Sequence, residues 1–196
     1  MAPNDIPLFP LTSVLFPGGM LELRIFERRY LDLISDCART GSAFGVCLIL
    51  EGHETGEPAL PAAVGTLAYI RDFDTLPDGL LGISVEGGER FNVATTRVRD
   101  NGLVHGEVCI WPAEPPVGVP VEYDLLATIL ERLLDRKGGR HAMVDRSRYD
   151  DAGWVSFRLA ETLPLAQPER QHLLQMTDPL LRLDQLLHYL PRFQRD

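Results

Sequence analysis

A few places in the 196-residue sequence bring together residue types that could do chemistry. His53-Glu54-Thr55-Gly56-Glu57 begins like the helical motif in which two histidines four apart hold zinc and a glutamate activates water. Its second histidine is replaced by Glu57, and Gly56 disfavours the helix that would align the ligands. Gly82-Ile83-Ser84-Val85-Glu86-Gly87 looks at first like a nucleophile elbow. The second glycine comes one residue late and a hairpin is expected after it where a helix is required, so Ser84 is not expected to attack a substrate. Phosphate binding would need glycine amides followed by a lysine, yet the sole lysine, Lys137, precedes Gly138-Gly139. Cys37, Cys47 and Cys109 are odd in number and lack C-x-x-C spacing, which gives neither a disulfide framework nor a zinc knuckle. Cys47 lies in an apolar run that disfavours a thiolate. His105, His141, His172 and His188 are scattered without ligand spacing. No catalytic residue, metal site or cofactor is expected, and the chain does not read as an enzyme.

The elements that would position side chains fall into two parts. Ile6 to Phe9 is a short apolar run between prolines, expected at a sheet edge because proline cannot donate to a ladder. Val14 to Phe16 reads as a further short strand, ended by Pro17-Gly18-Gly19. Met20 to Phe26 alternates apolar with charged residues, and from Glu27 the spacing of Tyr30, Leu31, Ile34 and Ala38 predicts a helix ended by Gly41. Ala43 to Leu50 is continuous enough for a central strand, and Glu51 to Ala62 reads as a mobile surface loop. Val64 to Phe73, Leu80 to Val85, Phe91 to Val98 and Leu103 to Trp111 are four strands separated by hairpin signals at Pro77-Asp78-Gly79, Gly87-Gly88 and Asp100-Asn101-Gly102. About seven short strands, mostly sequential antiparallel neighbours, imply a curled sheet or partly closed barrel. The proline-dense stretch 112–120 then marks a change to helical periodicity. Leucines line helices around 123–134 and 180–190, a helix spanning Trp154 to Leu163 stops before Pro164, Pro168 and Pro179 start further helices, and Asp178 caps the last. The fold class is therefore α+β, with a β-rich part at 1–114 carrying one helix and a helical bundle at 119–196.

A net charge of −9 and a pI near 5.0 argue against a nucleic-acid partner, since phosphate affinity needs clustered cations. Arg132, Arg136, Lys137, Arg140, Arg146 and Arg148 are the one candidate basic patch, and a solvated loop is the plainer reading of them. The first residues carry no secretory signal and no apolar stretch reaches bilayer length, so the expected location is the cytoplasm with no membrane contact.

Four blocks together resemble the amino-terminal, substrate-recognising domain of Lon proteases, especially its small free-standing bacterial members. They are Ile6-Pro7-Leu8-Phe9-Pro10-Leu11 running on to Val14-Leu15-Phe16-Pro17-Gly18-Gly19, then Leu23 to Tyr30, then Val64 to Ile70, then Val85-Glu86-Gly87-Gly88-Glu89-Arg90-Phe91-Asn92-Val93. The closing helices, with Gln171 to Gln175 and Arg182 to Leu187, are similar too. The resemblance implies a PUA-like β pseudo-barrel followed by a helical bundle, with no ATPase or protease domain. It also implies a protein ligand: unfolded or exposed apolar polypeptide segments, with a separate protease or chaperone as a candidate second partner. Binding is expected in a groove between the β and helical parts. An RNA-binding PUA-like module and an unrecognised hydrolase are the alternatives. Phe26, Glu27, Tyr30, Arg90 and Phe91 are the candidate recognition or structural residues. Phe26 and Tyr30 are spaced to pack across a strand-to-helix junction, and Arg90 is expected to clamp Glu27 through a bidentate pair.

Overall fold

The computed structural model describes residues 4–138 and 144–193, with the side chain of Lys137 also left out of account. The expectations placed on Gly139, Arg140 and His141 lie outside these residues. Among the described residues six strands and five α-helices give a mixed α+β architecture, and the chain divides into two units, Met1–Pro112 and Ala113–Asp196.

In the first unit the strands are β1 (Asn4–Leu11), β2 (Met20–Ile25), β3 (Phe44–Glu51), β4 (Leu60–Thr75), β5 (Leu81–Val98) and β6 (Val104–Ile110). They form one sheet in the order β2-β5-β4-β3-β1-β6, and β6 also pairs with β5. That extra pairing closes β1, β3, β4, β5 and β6 into a ring of five strands, with β2 attached outside it to β5. Closure removes the edges a flat sheet would expose. Not all neighbours are sequential antiparallel pairs as expected: β1 lies parallel to β3, and β2 pairs with the distant β5.

β1 is not an edge strand. Asn4 to Pro7 pairs with β6 and Leu8 to Leu11 with β3, so each half has a ladder on one side only in this register, which leaves room for Pro7 and Pro10. Val14, Leu15 and Phe16 are buried but form no strand; the carbonyl of Leu15 accepts from the Thr66 hydroxyl at 2.7 Å instead. The expected hairpin at Gly87-Gly88 is also absent, because β5 runs straight through it with a register shift against β4. Neither glycine has positive φ. Their small size serves close approach: a Cβ on Gly87 would stand 2.2 Å from the Phe16 carbonyl oxygen, and one on Gly88 would stand 2.4 Å from the Tyr69 ring. The turns at Gly79 and Gly102 are the true hairpins, with φ of 82° and 80°.

Helix α1 (Arg28–Thr40) ends at Gly41, which takes the left-handed conformation and donates to Cys37. Its Tyr30, Leu33, Ile34 and Cys37 share one core cluster with Phe9, Phe44, Ile83 and Val85. A second cluster joins Leu8, Cys47, Leu67, Phe91, Val104 and Val108.

The second unit holds α2 (Asp124–Lys137), α3 (Ala152–Thr162), α4 (Gln167–Gln175) and α5 (Pro179–Tyr189). Asp151 and Asp178 cap α3 and α5 by accepting from amides of the first turn, and Glu169 reaches back to the Ala166 amide. The buried stripe of α5 is Pro179, Leu183 and Leu186, continued by Leu190 just past its end, together with Arg182, which has no solvent exposure. Leu181, one of the leucines of this helix, is 60% exposed. Arg182 donates to both carboxylate oxygens of Glu114, to the Ser156 hydroxyl and to the Met176 carbonyl, and its guanidinium lies 3.7 Å above the Phe157 ring centroid.

Candidate functional site

A cleft of about 430 Å³ lies beside β2 in the first unit. The end of β1 supplies Phe9 and Leu11, and Thr12 and Ser13 continue that wall. Leu21 to Arg24 of β2 form the opposite wall, Phe26, Glu27 and Tyr30 close one end, and Glu54 with Thr55 closes the other. Each piece has a local cause. The alternation of β2 turns Leu23 and Ile25 into the core and leaves Glu22 and Arg24 exposed. The change from strand to helix at Phe26-Glu27 then throws Phe26 outward, where it is 52% exposed, while Tyr30 one turn later is buried.

The floor is aromatic. Phe9 and Tyr30 stack with centroids 3.9 Å apart and planes 12° from parallel, and Phe44 follows at 5.9 Å from Phe9. Burial pushes the Tyr30 hydroxyl above its ordinary value; the charge of Arg29 opposes this, and the carboxylates of Glu27 and Glu54 add to it. Tyr30 is therefore a neutral wall at physiological pH and no base. Glu27 stands at the helix N-cap and its carboxylate contacts Arg29 at 3.1 Å. Arg29 in turn donates to the Gly102 carbonyl and lies over Tyr30. Glu54 accepts from both the amide and the hydroxyl of Thr12, which ties the 51–59 segment to the end of β1.

Three of the five singled-out residues, Phe26, Glu27 and Tyr30, thus meet at the cleft. Arg90 and Phe91 lie elsewhere. Phe91 is fully buried, and its ring fills the space beside Gly45 and Gly65, where added Cβ atoms would come within 2.7 Å and 2.6 Å of it. Arg90 is 5% exposed and its guanidinium covers the Trp111 ring at 4.8 Å. The expected clamp between Arg90 and Glu27 is not formed, since Arg29, two residues away on the same helix turn, takes the carboxylate. Leu21, Thr12 and Glu54 were not among the candidate recognition residues; the alternation of β2 hinted at Leu21, and Glu54 was met only in the rejected zinc motif.

Ser84 lies within β5 opposite Glu22, to which it donates at 2.6 Å, and not on a strand-to-helix turn. Burial pushes the Cys47 thiol up to about 12. Among the described residues no group of three or more His, Cys, Asp or Glu could hold a metal ion, and no helix is long and apolar enough to cross a membrane.

Residues 5–192 match the family model described as the ATP-dependent protease La (LON) substrate-binding domain. The chain belongs to this family. Among solved structures, the Lon N-terminal domain protein from Xanthomonas campestris is 49% identical, with a TM-score of 0.80 over 95% of this chain and 98% of that one. The N-terminal domain of the Mycobacterium avium complex Lon protease shares the fold at 17% identity, with a TM-score of 0.68 over 96% of this chain and 98% of that one. Of curated relatives, the Lon protease of Vibrio parahaemolyticus is 24% identical over 93% of this chain and 24% of its own length. That of Escherichia coli is 23% identical over the same shares. The chain spans about a quarter of the length of these curated relatives. The family is described as a substrate-binding domain and not as the catalytic part of Lon.

Proposed function

We propose that this chain is a non-catalytic binding domain for polypeptides, and that its ligand is an unfolded or exposed apolar segment seated in the cleft at Phe26, Glu27 and Tyr30. The observation that carries this is the half-exposed Phe26 at the lip of a cleft floored by the Phe9–Tyr30 stack. A large aromatic left in water beside an apolar floor is a surface feature that a partner covers. The cleft lies within the first unit, and we seat the ligand there. The charged residues lining it are Glu22, Glu27, Glu54 and Arg24, a balance that favours polypeptide over RNA.

The closed five-strand ring with its single helix is read as the PUA-like pseudo-barrel that presents this cleft, and α2 to α5 as a helical bundle beside it in sequence. A cytoplasmic site of action and a separate protease or chaperone that takes over the bound segment complete the reading. Fluorescence anisotropy with labelled apolar peptides tests it. Saturable binding that is weakened by Phe26→Ala is expected; a panel of such peptides that yields no saturable isotherm overturns the proposal.

A further inference from the structure

We propose that the polypeptide segment is held in the cleft as an added β-strand, hydrogen-bonded to the free edge of β2. This rests on the peptide-binding reading above and states how the ligand's backbone is recognised. Among the described residues β2 pairs with β5 alone, so its other edge has no ladder. That edge opens into the cleft. Four consecutive residues, Leu21 to Arg24, line it, and because neighbouring side chains of a strand point to opposite faces, a run of four can line one space only through its edge.

The phase of the ladder identifies the groups on offer. The bond from the Leu76 amide to the Leu80 carbonyl closes the β4–β5 hairpin, so alternation turns the backbone of Gly82 toward β4 and that of Ile83 toward β2. Leu23 stands opposite Ile83. The backbone amides and carbonyls of Glu22 and Arg24 are thereby aimed away from β5.

The other free edge in the same stretch is treated differently. On β4 the Phe73 amide donates to the Asp72 carboxylate at 2.8 Å and the Thr75 amide to Asp74 at 2.7 Å. Those side chains cap the donors that a foreign strand would need, a known way of silencing an edge. Among the described residues β2 has no such capping: Glu22 is engaged with the Ser84 hydroxyl and Arg24 with Asp78. One edge is closed and its counterpart is open beside an apolar cleft.

The occupant is an extended segment with alternating apolar and basic side chains. One face of the added strand lies with Leu21 and Leu23 over the aromatic floor. Its charge complement is set by Glu22 and Glu54, whose described partners are the Ser84 hydroxyl and the Thr12 amide and hydroxyl and no cation. Backbone pairing gives affinity with little sequence demand, and the pocket for alternate side chains gives the preference.

The test uses the full chain and an alternating valine–lysine hexapeptide, unmodified or N-methylated at either alternate set of amides. One set faces β2 and the other faces solvent, so methylation of one set is expected to weaken binding about tenfold or more and the other to leave it unchanged. Glu22→Pro, which deletes one outward amide and no backbone bond to β5 but also gives up the carboxylate's bond from Ser84, is expected to weaken binding several-fold beyond Glu22→Ala, with the two variants alike in melting temperature. Equal affinity of both methylated peptides overturns strand addition and leaves peptide binding standing. Failure of the unmodified peptide to bind sinks the peptide-binding reading itself. A stable dimer in sedimentation equilibrium that the peptide does not dissociate assigns the edge to a second copy and overturns the proposal.

Discussion

Arg182 has surrendered every contact with water, and four acceptors and an aromatic face replace it. Removing one partner of such a pair leaves the other charge buried, so Arg182→Ala is expected to lower unfolding free energy by about 3–5 kcal/mol in a denaturant titration. Phe26 sits at the opposite extreme. It is half exposed, so Phe26→Ala is expected to leave the melting temperature within a degree or two while weakening apolar peptides about tenfold. Cys47, buried with its thiol pushed up to about 12, is expected to resist alkylation at neutral pH until the protein is unfolded, as mass spectrometry of labelled peptides would show. These residues differ in how far their sequence betrays them. Phe26 and Tyr30 are four apart at a visible change of period, and that both line the cleft follows from this local change. Nothing local links Arg182 to Glu114, which lies 68 residues away, and a charge on a leucine-rich helix reads as its polar face.

At the scale of elements, a pair of glycines carries two meanings. Asp100-Asn101-Gly102 is a turn whose own dihedral angles demand glycine, and the sequence shows it. Gly87-Gly88 is a strand segment whose neighbours demand glycine, and those neighbours, Phe16 and Tyr69, are distant in sequence. Gly87→Ala would place a methyl against the Phe16 carbonyl and is expected to cost about 1–3 kcal/mol or more, with the largest chemical-shift changes around Phe16 and in β2. The prolines of β1 misled for a similar reason. A strand that changes partner midway looks like an edge to each half of its sequence. The helix ends at Gly41 and Asp178 were legible because these residues act on the amides and carbonyls beside them, whereas Asp151, which caps α3 in the same way, was not singled out.

At the scale of the whole molecule, acid sensitivity has a definite location. Where β1 meets β6, Asp5 approaches Arg97, Arg99 and His105. Burial lowers His105 below its ordinary 6.5, Arg99 and Arg97 add to this, and Asp5 opposes it. Its folded value lies below the unfolded one, so the stability it confers is full above pH 6.5 and is lost as pH falls through the folded value. For Asp5 burial acts upward but is outweighed by the hydrogen bond and charge of Arg97, with His105 adding, and the net value lies below 3.8. Its contribution is lost at still lower pH. The melting temperature is expected to fall as pH drops below about 6.5, and His105→Gln is expected to flatten that first limb. The ring itself has a consequence in time. Asn4 pairs with Val108, so the strand made first must wait for the strand made last of the six. A nascent chain stopped at Gly102 would keep both seams of β6 open, so the ring is expected to seal only after the last of its strands has emerged.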